Sequence, residues 1–287
     1  ATVFFITPNG RAHSRREIRE NPVEPIYDIS TRTLFSGTHV TMATCPDLKD
    51  PDNAVNDPGA APYGNFINYY SFNPPENRLS LIPATLLRDL GYRDGGDEPT
   101  LILDVGCNSG DLSVAVYKHL VQEPEKSTVQ LLGFDLDETL VERAEQTNPL
   151  HSNISFIQLD ITEETNRLQD FLKQHSCSHF HLCLCLAVTM WVHLNHGDSG
   201  LLQLLSRLAA ISSHLLLEAQ PWKCYRSAAR RLRKLGRSDF DHFKTLKIRG
   251  DVAEHATEHL ERHCGMELMQ SFGSTAWDRK LLLFRRR

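Results

Sequence analysis

The chain lacks most of the signatures that would settle its class at once. No run of 18 apolar residues occurs, so no membrane-spanning helix is predicted. The opening "ATVFFITP" is too short an apolar run for a signal peptide and has no charged n-region, so none is expected. The 7 cysteines are odd in number and include no CxxC pair. They read as reduced thiols of an intracellular protein, cytoplasmic and possibly also nuclear, rather than a disulfide framework. HExxH is absent, and the 14 histidines are scattered. His255, His259 and His263 recur at helical spacing as a surface face, and no metal is expected. There is no GxGxxG fingerprint, no Walker lysine and no internal repeat. Nor is there a surplus of positive charge. With 31 Lys and Arg against 36 Asp and Glu, the net charge is −5, which excludes nonspecific coating of nucleic acid and leaves only local basic clusters to bind it.

What is present is a chain of 287 residues, 40% hydrophobic, enough for one sizeable core. Residues 1–62 hold seven of the 14 prolines and no sustained periodicity, so a disordered or loosely attached extension is expected there. Within it Met42 reads as a plausible translation start, which would make residues 1–41 an upstream extension. From residue 63 the character changes. An aromatic, proline-broken segment over 63–91, ending in a short helix over "PATLLRDLG", precedes the main body and is expected to cap the site. Strand-like and helix-like runs then alternate. The strands are "TLILDVG", "VQLLGFD", "ISFIQLD", "HFHLCLCLAV" and "SHLLLEAQ", and helices fall between them over "GDLSVAVYKHLV", "DETLVERAEQT", 163–175 and 198–211. The basic segment 226–235 forms a helix, and "MELMQSF" and "RKLLLFR" close the chain as a hairpin. Apolar strands alternating with helices predict an α/β fold, a doubly wound and mostly parallel sheet with an antiparallel C-terminal hairpin, in one domain over 63–287. Cys183 and Cys185 fall on one face of a strand and read as small core residues.

The first strand ends in "LILDVGCNSGDL". Asp104 closes the apolar run, and Gly106 and Gly110 turn the chain into a helix whose free N–H groups favour a polar ligand. Asp135 ends the second strand, where a carboxylate accepts from ribose hydroxyls. Asp160 ends the third and is suited to an exocyclic amine. Three successive strand ends carrying Asp point to an adenosine-containing cofactor. The missing third glycine favours S-adenosylmethionine over a nicotinamide dinucleotide.

These residues resemble the class I S-adenosylmethionine-dependent methyltransferases. "TMWVHLNHGDSGL" (189–201), "LEAQPWKCY" (217–225) and "APYGNFINYYSFNPPENRL" (61–79) narrow the likeness to the Bicoid-interacting-protein type of RNA 5′-phosphate methyltransferases, over about residues 60–285. The resemblance implies methyl transfer from S-adenosylmethionine to the 5′-monophosphate of RNA, with small-RNA precursors and histidine tRNA as substrates. It also implies cofactor contacts at Arg78, Asn108, Asp135, Asp160, Ile161 and Leu186. Ala219 stands where the family usually has proline, and Leu186 where a relative has methionine. Neither change removes a hydrogen-bonding side chain.

A 5′-monophosphate is mostly a dianion at neutral pH, so its oxygen needs alignment rather than a general base. The donors expected to hold it are Tyr69, Tyr70, His193, His196 and Lys223, with Asn195, Tyr225 and Arg226 nearby. Trp191 and Trp222 are suited either to stacking on a terminal base or to core packing. Residues 223–237 carry seven Lys or Arg and no acid. A helix there aligns Arg226, Arg230, Arg233 and Arg237 on one face for the RNA backbone, with Leu232 and Leu235 turned away. A monomer is expected, with RNA as partner. Two other readings stay open: a methyltransferase of another acceptor, and a non-catalytic RNA-binding protein that keeps the fold.

Overall fold

A computed structural model describes residues 61–287 except 93, 94, 97, 164 and 165, and only the backbone of residue 125. Apart from residues 61 and 62, the extension expected over 1–62, with its start at Met42, lies outside the described residues.

Seven strands make one sheet: β1 (Leu101–Val105), β2 (Gln130–Asp135), β3 (Ile154–Gln158), β4 (Phe180–Leu186), β5 (Ser212–Glu218), β6 (Met266–Ser274) and β7 (Lys280–Arg286). Their order is β3-β2-β1-β4-β5-β7-β6. The first five are parallel, and β7 runs antiparallel between β5 and β6. All five residues of β1 are buried, as the apolar run "LILDV" requires of a central strand covered on both faces.

The period-2 alternation divides the strand side chains between two cores. Ile102, Leu131, Leu182, Leu184 and Leu216 pack with Val116 of α4 (Asp111–Leu120) and Ala144 of α5 (Glu138–Thr147). Leu103, Leu132, Cys183, Cys185 and Leu217 face the other way. There they meet α6 (Arg167–Gln174), α7 (Thr189–Ile211), α8 (Trp222–Lys234) and α9 (Val252–His263). Fully burying each of these leucine, isoleucine and valine side chains contributes roughly 1.5–3 kcal/mol. Both cysteines are core residues, as their spacing indicated.

Helix boundaries differ from the sequence reading in particular ways. The helix expected over 83–91 shrinks to α3 (Leu86–Asp89), and two further single turns precede it, α1 (Tyr69–Phe72) and α2 (Glu76–Leu79). Asp137 caps α5, accepting from the Thr139 N–H at 3.0 Å. The helix expected at 198 starts at Thr189, because the chain stays helical on both sides of a break at Gly197 (φ 71°, ψ −172°). The strand order reverses between β1 and β4, and the crevice beyond their C-terminal ends is the point where open α/β sheets hold ligands.

Candidate active site

The glycine turn is built by backbone geometry. Gly106 has φ +69°, and a Cβ there would meet Val188 Cγ2 at 2.6 Å, so both conformation and space require glycine. Asn108 is also left-handed (φ 52°), which directs its N–H to Asp135 Oδ2 at 2.8 Å and its Nδ2 to the Phe66 carbonyl at 3.1 Å. The Asp137 N–H reaches Asp135 Oδ1 at 3.1 Å. Asp135 is thereby fixed at the end of β2.

A crevice enclosing about 950 Å³, open solvent at its mouth included, lies above this turn. Asp104, Gly106, Asn108, Asp135, Asp160, Ile161 and Leu186 all line it. Burial pushes the Asp104 carboxyl up to about 7, opposed by the hydrogen bond from Ser113 Oγ (2.6 Å) and by Arg78. Burial also raises Asp135, against the backbone N–H groups that hold it. The residues from Pro62 to Tyr70 form a strap across the mouth. Asn195 Nδ2 donates to the Pro62 carbonyl (2.9 Å), Asn65 Nδ2 to Asp137 (2.8 Å) and Arg143 Nη1 to the Ile67 carbonyl (3.2 Å). Gly64 lies so close under Trp191 that a Cβ would sit 2.2 Å from the indole nitrogen.

Behind the strap is a buried ionic cluster. Glu218, at the end of β5, takes Arg78 Nε and Nη2 on one side and Arg279 Nη1 (3.1 Å) on the other. Arg78 and Glu218 have no exposed side-chain surface. Burial works against the charge on Arg78, but Tyr69 and Glu218 outweigh it and hold its pKa above the ordinary arginine value. Two guanidinium groups share one carboxylate, and among the described residues Arg78 Nη1 and Arg279 Nε are buried without a hydrogen-bond partner.

A second cavity of about 710 Å³ adjoins the first, sharing Tyr69, Ala187 and Trp191 with it. Phe66, Phe72, Trp277, Arg231 and Arg279 line it. The Arg231 guanidinium lies 4.5 Å from the Phe66 ring centre, a cation–π distance. Cys224, Ala228 and Arg231 turn α8 toward this cavity, while Arg226, Arg230 and Arg233 are exposed on the opposite side of the helix.

Several expected site residues lie elsewhere. Arg78 lines neither cavity, because its guanidinium is committed to Glu218 and Tyr69. Gly110 also lines neither, and serves as the left-handed residue that opens α4. Tyr69 and Tyr70 both face the crevice, but Tyr70 spends its hydroxyl proton on the Cys107 carbonyl (3.2 Å). His196 lines the crevice; His193 does not. His193 is fully buried, with its ring nitrogens committed to Tyr225 and Asp198. Lys223 is exposed, lines neither cavity and pairs with Asp278 at 3.4 Å. Arg237 is exposed but lies past the end of α8, and Leu235 is 52% exposed rather than turned inward. Trp222 stacks on Phe243 at 5.7 Å, a packing role. The sequence reading missed Tyr63, Asn65, Arg231, Trp277, Arg279 and Glu218. Two of these had a signal. Arg231 continues the inward stripe of Cys224 and Ala228 at i+7, and Glu218 is the one acid in an otherwise apolar strand end.

The strand order, with one antiparallel strand inserted next to last, and the acid-lined crevice at the ends of β1, β2 and β3 define a class I S-adenosylmethionine-dependent methyltransferase. The donor set suits that cofactor. Asp104, Asp135 and Asp160 line the crevice as acceptors that would fit the hydroxyl, amine and cationic groups of such a cofactor. A family profile, Bicoid-interacting protein 3, matches residues 180–286. The Pre-miRNA 5′-monophosphate methyltransferase of Danio rerio is 66% identical over 238 residues, 80% of this chain and 94% of the relative. Its Xenopus laevis counterpart is 54% identical over 239 residues, 80% of this chain and 94% of that one. Among solved structures, the magnesium protoporphyrin IX methyltransferase of Synechocystis PCC 6803 with bound SAH is 17% identical, with a TM-score of 0.46, over 74% of this chain and 84% of that one. The chain belongs to the Bicoid-interacting protein 3 family of RNA 5′-phosphate methyltransferases.

Proposed function

We propose that this protein transfers a methyl group from S-adenosylmethionine to the 5′-monophosphate of RNA, with small-RNA precursors as the substrate class. The observation that carries the reading is the pairing of an acid-lined crevice with an aromatic and cationic cavity that shares Tyr69 with it. The names of the relatives, at up to 66% identity, supply the monophosphate end.

S-adenosylmethionine, when bound, supplies a methyl group on a cationic sulfur that departs as a neutral thioether. The chain's own residues orient the two partners. Asp135 and Asp160 hold the adenosine, and the strap over 62–70 closes the crevice above it. Arg78 Nη2 donates to the Tyr69 oxygen at 2.9 Å, so the Tyr69 hydroxyl keeps its own proton to donate to a phosphate oxygen. The phosphate is a dianion above its second pKa of about 6 and attacks without a general base. In the transfer the cofactor would supply, an O–CH3 bond would replace the methyl–sulfur bond. A few oriented donors suit this step, because a dense positive cluster would stabilise the dianion more than the transition state. Phe66, Trp191 and Trp277 offer faces for the terminal bases, and the Arg226, Arg230 and Arg233 face of α8 takes the backbone beyond.

The test is incubation with labelled S-adenosylmethionine and RNA bearing a 5′-monophosphate, 5′-triphosphate or 5′-hydroxyl. Label is expected with the monophosphate. Label on all three, or on none, would overturn the reading.

A further inference from the structure

Helix α7 is two helices in one. Its first half, from Thr189 to His196, forms a wall of the crevice, carrying Trp191, Asn195 and His196. It also holds the strap through Asn195 and Pro62. The second half, beyond the break at Gly197, packs in the core. A buried chain of hydrogen bonds sits at that break. His193 Nε2 lies 2.8 Å from Asp198 Oδ1, and His193 Nδ1 lies 3.0 Å from the Tyr225 hydroxyl on α8. A carboxylate cannot donate, so Nε2 carries the ring proton and Nδ1 accepts from Tyr225. Asp198 also takes two backbone N–H groups from the connection between α8 and α9, Ile248 at 3.1 Å and Lys247 at 2.9 Å. Phe240 of the same connection packs against Trp191, ring centres 6.4 Å apart. Three segments far apart in sequence therefore meet at one buried imidazole and one carboxylate.

We propose that Asp198 and His193 are positioning residues for the RNA acceptor, locking the first half of α7 to α8 and to the connection after it. The proposal rests on the RNA reading above. It assigns His193 no contact with phosphate, only the setting of Trp191 and the basic face of α8 relative to each other. Burial pushes the imidazole below its ordinary pKa, which keeps it neutral and able to accept from Tyr225. The groups facing it are Asp198, Tyr225 and His242.

The experiment uses the full chain as Asp198→Ala, His193→Leu, the double variant and His193→Gln. Each is compared with wild type for methyl transfer to 5′-monophosphate RNA, for cofactor affinity by calorimetry and for hydrogen exchange. In Asp198→Ala and His193→Leu the apparent KM for RNA should rise about tenfold, the size of effect left by unpaired buried donors. The kcat and the cofactor affinity should stay within about twofold. The double variant should be no worse than Asp198→Ala alone, because the two act through one device. His193→Gln keeps a donor toward Asp198 and an acceptor for Tyr225, and should recover most of the loss. In Asp198→Ala, exchange should accelerate in peptides covering 189–196 and 239–250 and stay unchanged over 101–120.

An unchanged KM for RNA, a matching loss of cofactor affinity, or additive effects in the double variant would each overturn the proposal. Additivity with a loss confined to His193 would point instead to direct phosphate contact. The exchange measurement needs no substrate. If wild type transfers no methyl to RNA, the functional reading fails, while the device itself is still judged by whether 189–196 loosens.

Discussion

The crevice at the ends of β1 to β3 is lined by three carboxylates, Asp104, Asp135 and Asp160, while the cavity beside it is lined by two guanidinium groups and a set of aromatic rings. The first is made of strand ends and one glycine turn, so its acids are fixed by the ladders of the sheet. The second draws on the strap, the first half of α7, α8 and the approach to β7. Tyr69 is common to both, and through Arg78 and Glu218 it is linked to Arg279 of the second cavity. The sign of charge therefore differs between the two cavities; under the proposed function the acidic one would seat the cationic methyl donor and the basic one the anionic acceptor. Under that proposal, the division would place opposite charges where each partner needs them.

The comparison can be broken most severely at its seam. Glu218→Ala leaves two buried guanidinium groups without a counter-charge, and removing one partner of such a cluster costs about 3–5 kcal/mol. A drop of that order in the urea-unfolding free energy is expected, with Glu218→Gln intermediate.

Next comes Asp104, whose folded-state value is about 7 against an ordinary 3.8. Below about pH 4 the carboxyl is protonated in both states. Between about 4 and 7 the unfolded chain releases its proton while the folded chain holds it, so stability falls as pH rises through that window, by a few kcal/mol at most. Asp104→Asn removes this pH dependence. Urea midpoints at pH 4.5 and pH 7.5 should show wild type losing ground to the variant.

Sharper still is the acidic side alone. Asp135→Asn should weaken cofactor binding by about 1–3 kcal/mol, as expected for a lost charged acceptor, with RNA binding intact. Calorimetry against S-adenosylhomocysteine and a fluorescence titration with RNA read the two separately. The smallest effect belongs to the basic face. Arg230→Ala with Arg233→Ala should weaken RNA binding a few-fold and lower the slope of log affinity against log salt by about 1.4 for single-stranded RNA, leaving cofactor affinity unchanged.

The same contrast explains what the amino-acid pattern revealed. The sheet was legible because each strand is a short apolar run closed by a turn, and the acidic crevice because its acids follow those runs directly. Cys183 and Cys185 could be placed in the core from their spacing alone. The basic cavity was much less legible. Arg279 precedes an ordinary strand and carries no local mark, since its partner Glu218 is 61 residues away. Arg231 sits in a charge run whose solvated members drown it, and only the inward stripe with Cys224 and Ala228 separates it from them. His193 looked like a substrate group because "HLNHGD" follows the fourth strand. The break at Gly197 and the facing Tyr225 turned it into a buried link, and neither is visible without the packing of α8. The start of α7 at Thr189 was missed for the same reason, since a helix broken by glycine reads as two signals, one of them short.

The most direct test of the division between donor and acceptor seats is a crystal structure of the protein with S-adenosylhomocysteine and a short RNA carrying a 5′-monophosphate. The account predicts the adenosine between Asp135 and Asp160, and the terminal phosphate beside the Tyr69 hydroxyl where the two cavities meet. A phosphate bound away from Tyr69, or an adenosine seated among Phe66, Trp277 and Arg279, would contradict it.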